Sequence, residues 1–202
     1  MEIQIEFPLN TAVHCQGELL GETIELVIDP GDNQITHLVV KEKYQPYIER
    51  LVPIRYIEGI FSSKVNLCCT KDEFSEMDIF CEKGMVMQSH NNPVSDMKNG
   101  VYQFPVTRSV LIESRSVPDG MISMDENTVI NATDGRIGYL DKLGVSPHSQ
   151  CITHLIVRNS AVFGPRTVYI PISAIQSFNA HKIQLHISKK ELKLLADEYT
   201  FA

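Results

Sequence analysis

Two histidines sit in the same short sequence context. His37 lies in Ile35-Thr36-His37-Leu38-Val39-Val40 and His154 in Ile152-Thr153-His154-Leu155-Ile156-Val157. A symmetric pair of imidazoles is chemistry-capable, because neutral histidine ligates transition metals and its charge changes near neutral pH. Each, however, is set among Ile and Val with no carboxylate or second histidine at ligand spacing, which assigns both a structural role, with ligation or pH sensing as the alternative. His181 and His186 are five apart and, on a strand with side chains alternating at period two, point to opposite faces. His14 and Cys15 are adjacent and diverge for the same reason. The cysteines Cys15, Cys68, Cys69, Cys81 and Cys151 are odd in number and irregularly spaced, so they form neither a disulfide framework nor a zinc pattern and are expected as reduced thiols.

Acidic pairs such as Asp72-Glu73 occur inside Thr70-Lys71-Asp72-Glu73, and Ser188-Lys189-Lys190-Glu191 has the same form. Both match the capping box, in which the hydroxyl and the glutamate satisfy free amides at a helix start, so these carboxylates are assigned to helix initiation rather than acid-base work. No phosphate-cradling loop, dinucleotide fingerprint, nucleophile elbow or zinc-protease helix is present. The expectation is a protein that is not an enzyme, with no catalytic residue, no metal site and no cofactor.

The elements that carry these residues repeat. The hexamer at 35–40 returns at 152–157, displaced by 117 positions, and the same displacement superposes Gly21 on Gly138 and Pro30 on Pro147. A one-residue insertion then aligns Pro53-Ile54 with Pro171-Ile172, Ile57 with Ile175, Leu67 with Leu185, and Glu73 with Glu191. The domain division expected is 1–80 for a first module, 81–126 for a partly ordered connector, and 127–202 for a second module.

Within a module the apolar runs are short, rich in Val and Ile, and bounded by turn residues, which predicts antiparallel β structure. Asp29-Pro30-Gly31-Asp32-Asn33 is a turn, with proline presetting one dihedral and Gly31 expected to take a positive φ. Ser146-Pro147-His148-Ser149 is the matching turn of the second module. Gly21 and Gly138 interrupt apolar stretches and mark a bulge or close backbone approach; Pro53 and Pro171 confine their strands to an edge, an end or a bulge. A helix is expected after each capping box, the second longer and presenting Leu192 and Leu195 on one face. In the connector, Ser89-His90-Asn91-Asn92-Pro93 is expected as a mobile loop.

The order glycine, strand, Asp-Pro-Gly turn, Ile-Thr-His-Leu-Val-Val strand and Val-Pro-Ile strand resembles the PRC-barrel module, as does Asn131-Ala132-Thr133-Asp134-Gly135-Arg136-Ile137-Gly138 in the second copy. The resemblance implies an all-β fold of two small PRC-type β-barrels in tandem with a short C-terminal helix. It also implies a docking role: characterised relatives dock onto a photosynthetic membrane complex or onto a ribosomal assembly, without catalysis. Val117-Pro118-Asp119-Gly120 ahead of the second module is similar to a subgroup with two modules in tandem.

Charge and composition narrow the partners. Net charge is −7, and residues 1–100 hold 8 Lys+Arg against 16 Asp+Glu, so the first half is the acidic one. A nucleic-acid binder needs clustered cations, and Lys189, Lys190 and Lys193 are the only tight basic group, so nucleic acid is disfavoured. No membrane-length apolar run or secretory start is present, which predicts a cytoplasmic protein without membrane insertion. The expected function is protein interaction or scaffolding, through a partner or self-association, with Glu18, Glu22, Glu25 and Asp32 as the candidate surface. The alternatives are an RNA- or ribosome-associated factor, or a small-molecule or metal-binding protein at a cleft between the modules.

Overall fold

A computed structural model describes residues 5–61, 64–96, 100–146, 149–158 and 168–199. The described residues are mostly β-sheet with two α-helices. In order it forms β1 (Ile5–Pro8), β2 (Ala12–Cys15), β3 (Glu18–Asp29), β4 (Gln34–Glu42), β5 (Glu49–Pro53), β6 (Ile57–Phe61), β7 (Lys64–Leu67) and α1 (Lys71–Ser75). There follow β8 (Cys81–Asp96), β9 (Gly100–Arg115), β10 (Ile122–Asp125), β11 (Val129–Ala132), β12 (Gly135–Val145), β13 (Ile152–Arg158), β14 (Val168–Pro171), β15 (Ile175–Asn179), β16 (Lys182–Leu185) and α2 (Lys189–Tyr199).

The internal repeat is reproduced strand for strand. One sheet runs β5-β4-β3-β2-β7-β6 and the other β14-β13-β12-β11-β16-β15. Each has one parallel pair, β2 with β7 and β11 with β16, the other ladders being antiparallel. Gly21 stands opposite Val13 and Gly138 opposite Ile130, each at the point where the ladder shifts register. A Cβ on Gly21 would collide with the carbonyl oxygen of Lys41, so this position is restricted to glycine by backbone approach. Pro53 and Pro171 end their strands, and a turn of 3-10 helix follows each, at Ile54–Tyr56 and Ile172–Ala174.

Each sheet also takes a strand from outside its own module. β1, just before the first module, pairs with β12 of the second; β10, just before the second, pairs with β3 of the first. The registers are equivalent under the displacement of 117, with Ile5 opposite Val145 and Ile122 opposite Ile28. Assigning residues 1–80 and 127–202 each to a separate module therefore misses an exchange: residues 5–8 belong to the second sheet and 122–125, placed in the connector, to the first. Exchange seals the two modules to one hydrophobic core that includes Phe7, Leu26, Leu38, Met124, Leu143 and Leu155. Burial of a Phe or Met side chain contributes about 1.5–3 kcal/mol, so the donated strands bring Phe7 and Met124 as substantial anchors.

Both capping boxes form. Glu73 N–H donates to Thr70 Oγ1 at 3.2 Å while Thr70 N–H donates to the Glu73 carboxylate at 2.7 Å; in α2 the same bonds join Glu191 and Ser188 at 3.3 and 2.7 Å. Phe74 and Leu192, equivalent in the repeat, are the buried anchors of the two helices, and Leu195 is half-buried.

Compact folding divides the chain into residues 1–80 with 117–202, and residues 81–116. The second unit is a ribbon in which β8 and β9 pair antiparallel from Cys81 opposite Arg115 to Asp96 opposite Gly100. Ser89 to Pro93 is thus ladder, opposite Gln103 to Thr107, and not a loop. Cross-strand pairing outweighs the local turn preference of Asn and Pro, and both strands of a two-stranded ribbon are edges, where proline is tolerated.

Candidate functional site: a tyrosine-lined cleft on the first module

Two short connections build a concave surface on the first module. β2 and β3 are joined by Gln16 and Gly17 with φ of 49° and 84°, the positive pair that a two-residue hairpin requires. This turn carries Glu18 and Leu19. Opposite it, the chain leaving β4 turns at Tyr44, whose carbonyl accepts from Tyr47 N–H at 2.8 Å. Lys43 N–H donates to Leu20 O and Glu42 N–H to Ile48 O, both at 2.8 Å, fixing the turn against β3. Gly21 sets the floor between the two connections.

The result is a cleft of about 760 Å³ bordered by Leu19, Glu22, Lys41, Lys43 and Tyr47. A neighbouring recess of about 560 Å³ is bordered by Glu18, Leu20, Tyr44, Lys71 and Phe74. Leu19, Tyr44 and Tyr47 are 36%, 69% and 48% exposed, a concentration of solvent-facing apolar surface on one rim. The charges around it are matched: Lys71 pairs with Glu18, Arg50 with Glu42 at 2.5 Å, Glu22 lies opposite Lys41 in the ladder, and Lys43 sits over the Tyr44 ring at 5.3 Å. A balanced rim around exposed rings suits an uncharged or mixed polypeptide surface better than a polyanion.

Of the four acids picked out in the sequence, the fold brings Glu22 to this cleft and Glu18 to the neighbouring recess. Asp32 is exposed in the turn after β3, where Gly31 and Asp32 N–H groups donate to Asp29 Oδ1. Glu25 is 5% exposed and belongs to no surface. Side chains alternate along a strand, so Glu18 and Glu22, four apart, share a face, whereas Glu25 is an odd number of residues from both and follows a register shift between Thr23 and Glu25. In the same turn the positive φ falls on Asn33 at 53° and not on Gly31; the matching residue Gln150 has 57°, while Pro147 and His148 lie outside the described residues.

The repeated histidines occupy unlike surroundings. His37 is half-buried, with Nδ1 3.0 Å from Thr36 Oγ1, beside a recess bordered by Arg55, Tyr56 and Asp78. Burial, then the Arg55 charge, lower its pKa against the opposing pull of Asp78. His154 is 8% exposed, with Nδ1 2.9 Å from Thr153 Oγ1 and its ring 5.5 Å from that of Tyr169. Burial lowers its pKa too, opposed by Glu6. His14 is half-buried and Cys15 buried, consistent with opposite faces. Among the described residues no group of three or more His, Cys, Asp or Glu is placed to hold a metal ion. Cys15 donates through Sγ to Cys69 O at 2.6 Å, and burial pushes the Cys69 thiol up to about 11, which disfavours the reactive thiolate.

The sequence reading passed over Leu19, Tyr44 and Tyr47. The available signal was Tyr44-Gln45-Pro46-Tyr47, two aromatics around a proline between two strand-like runs, where side chains on a turn face outward. Between the modules a further recess of about 410 Å³ is bordered by Pro30 and Asn33 of the first and by Ile172, Ile175 and Phe178 of the second. No helix among the described residues is long and apolar enough to cross a membrane. No protein-family model matches the sequence, and no curated protein is similar to it.

Proposed function

We propose that this chain is a non-catalytic interaction or scaffolding protein that docks a protein partner in the cleft between Leu19, Tyr44 and Tyr47, on two modules of PRC-barrel type. The single observation carrying the docking role is the exposure of two tyrosines on one turn, Tyr47 bordering the cleft of about 760 Å³ and Tyr44 the neighbouring recess of about 560 Å³. Tyrosine at a rim brings large apolar area at low conformational cost and is enriched where proteins recognise proteins. The barrel reading is supported by the order β5-β4-β3-β2-β7-β6 and its repeat, in which parallel pairing of β2 with β7 brings strands distant in sequence together.

The test is retention from native extract on wild-type chain and on Tyr44→Ser/Tyr47→Ser, followed by titration of any retained protein in purified form. A partner bound at least tenfold more weakly by the double variant supports the reading. Equal binding by both, or a clean monomer with no partner, sinks it.

A second reading, small-molecule binding, is favoured by the recess where Pro30 and Asn33 of the first module meet Ile175, Gln176, Ser177 and Phe178 of the second, a junction of modules being where ligand pockets commonly form. Mass spectrometry of extract-incubated protein, compared with Ile175→Asp, separates it from protein docking. Among the described residues no corresponding feature favours the RNA-associated alternative.

A further inference from the structure

Gln34 and Cys151 are equivalent positions of the repeat, 117 residues apart, and they are partners in an antiparallel bridge. Ile35 N–H donates to Gln150 O at 3.4 Å, and Ile152 N–H to Asn33 O at 2.7 Å, the same bond made twice in opposite directions. A residue meeting its own equivalent is the mark of an isologous contact about a two-fold axis. The exchanged strands obey the same relation: β1 lies on β12 and β10 on β3 in equivalent registers. One chain thus builds within itself the interface that symmetric dimers build between chains.

We propose that this interface also forms between two copies of the chain, the first module of each pairing with the second module of the other through exchange of Ile5–Pro8 and Ile122–Asp125. The ladders within the modules and those of the exchanged strands are the same in the exchanged dimer as in the monomer, so the two states differ in the connection, where β8 of one chain pairs with β9 of the other in place of its own. Residues 81–116 link the modules within a chain, and such a link gives the partner module an effective concentration on the order of millimolar. Closure within one chain therefore dominates in dilute solution, and exchange gains as protein concentration approaches that value. Because each module donates a strand bearing a buried side chain, Phe7 or Met124, interconversion requires opening the core, so an exchanged dimer, once formed, persists on dilution. This inference is independent of the tyrosine cleft.

Bridge partners flanked by the two bonds above form a non-hydrogen-bonded pair, with Cα atoms typically about 4.5 Å apart, within disulfide reach. The full-length variant Gln34→Cys, with Cys68→Ser removing the exposed thiol, can then be oxidised after refolding at about 1 µM and at about 1 mM, below and at the effective concentration. Mixed light and 15N-labelled chains report whether the 34–151 crosslink lies within a chain or between chains. The expected result is an intrachain crosslink at low concentration and a covalent dimer, joined 34 to 151 in mixed-isotope peptides, at high concentration. Intrachain crosslinks alone at both concentrations overturn the proposal, and a folded variant that forms no crosslink overturns the two-fold contact beneath it. If the variant does not fold, wild-type chain refolded at both concentrations and sized by light scattering decides: a dimer that survives dilution supports exchange, and a monomer throughout refutes it.

Discussion

The ring of His154 lies against the backbone of Gly144, directly opposite it in the β12–β13 ladder, so closely that a Cβ built on Gly144 would fall inside the imidazole. The equivalent pair of the first module is Val27 and His37, where a branched side chain occupies the space and the imidazole is correspondingly less buried. Gly144→Ala is therefore expected to displace the ring and to cost about 1–3 kcal/mol, the range for overpacking a filled site. Urea denaturation measures it. Recovery of most of the loss in Gly144→Ala/His154→Ala would assign it to this contact, while an unchanged midpoint in the single variant would contradict the geometry.

Protonation of these two histidines links stability to pH. Both hold pKa values below the ordinary 6.5 because burial disfavours the charged ring. Between 6.5 and the depressed value the unfolded chain binds more protons than the folded one, so stability rises with pH there. It is fully present above 6.5 and is lost as pH falls through the folded value. The denaturation midpoint is expected to fall between pH 7 and pH 5, and His37→Gln/His154→Gln to flatten this segment of the profile. A wild-type midpoint that rises on acidification in this window would reverse the sign and refute the assignment.

Donated strands make a third prediction, this one about where instability appears. Phe7 is 6% exposed and sits on β1 opposite Leu143. Phe7→Ala should cost about 3–5 kcal/mol, as removal of a buried phenylalanine does. Native-state hydrogen exchange would show the earliest loss of protection at Leu143 and Leu155 in the second module, although residue 7 adjoins the first in sequence. Loss confined to β2 and β4 would mean that β1 belongs to its neighbour in the chain.

The helix starts supply a fourth. Thr70→Ala and Ser188→Ala remove the two cap hydroxyls and should each cost about 1 kcal/mol. Ser188→Ala should also lower helical circular dichroism, because α2 holds eleven residues and α1 five. Glu73 and Glu191 accept backbone and hydroxyl bonds at these caps, which hold their carboxyls below the usual 4.5. Their contribution is present above that value and disappears as pH falls through the lowered one, a window separate from that of the histidines. Equal acid sensitivity of wild type and Glu73→Gln/Glu191→Gln would refute this.

The same residues explain how much could be read without coordinates. The repeated succession of short strands, the irregularity at Gly21, the terminal prolines and both capping boxes are local chemistry, written in residue type and short spacing. The exchange of β1 and β10 is not: Ile5-Glu6-Phe7-Pro8 and Ile122-Ser123-Met124-Asp125 share only isoleucine at the repeat displacement, and nothing in either says which sheet edge it completes. The shared face of Glu18 and Glu22 follows from their spacing of four on one strand, whereas the burial of Glu25 depends on what the fold packs around β3. The tyrosine rim was hidden for a related reason, since exposure of Tyr44 and Tyr47 is a property of the closed turn and not of the residues.

Thiol reactivity offers the last prediction. Cys68 and Cys69 are neighbours in sequence, yet Cys68 is exposed and Cys69 is 2% exposed beside the 1% exposed Cys15. The thiolate is the reactive form, and burial, with Cys15 adding to it, raises Cys69 to about 11. Attack on Cys69 or Cys15 therefore needs an opening of the core, whereas Cys68 needs none. With iodoacetamide at pH 8, Cys68 should be alkylated at the rate of a free peptide thiol, and Cys15 and Cys69 more slowly by roughly a hundredfold or more, the protection expected of groups that react only through an opening of the core. In denaturant all three rates should converge. If Cys69 labels in the native protein as fast as Cys68, β7 does not continue into the buried backbone that receives the Cys15 hydrogen bond, and the packing of β2 against β7 would have to be redrawn.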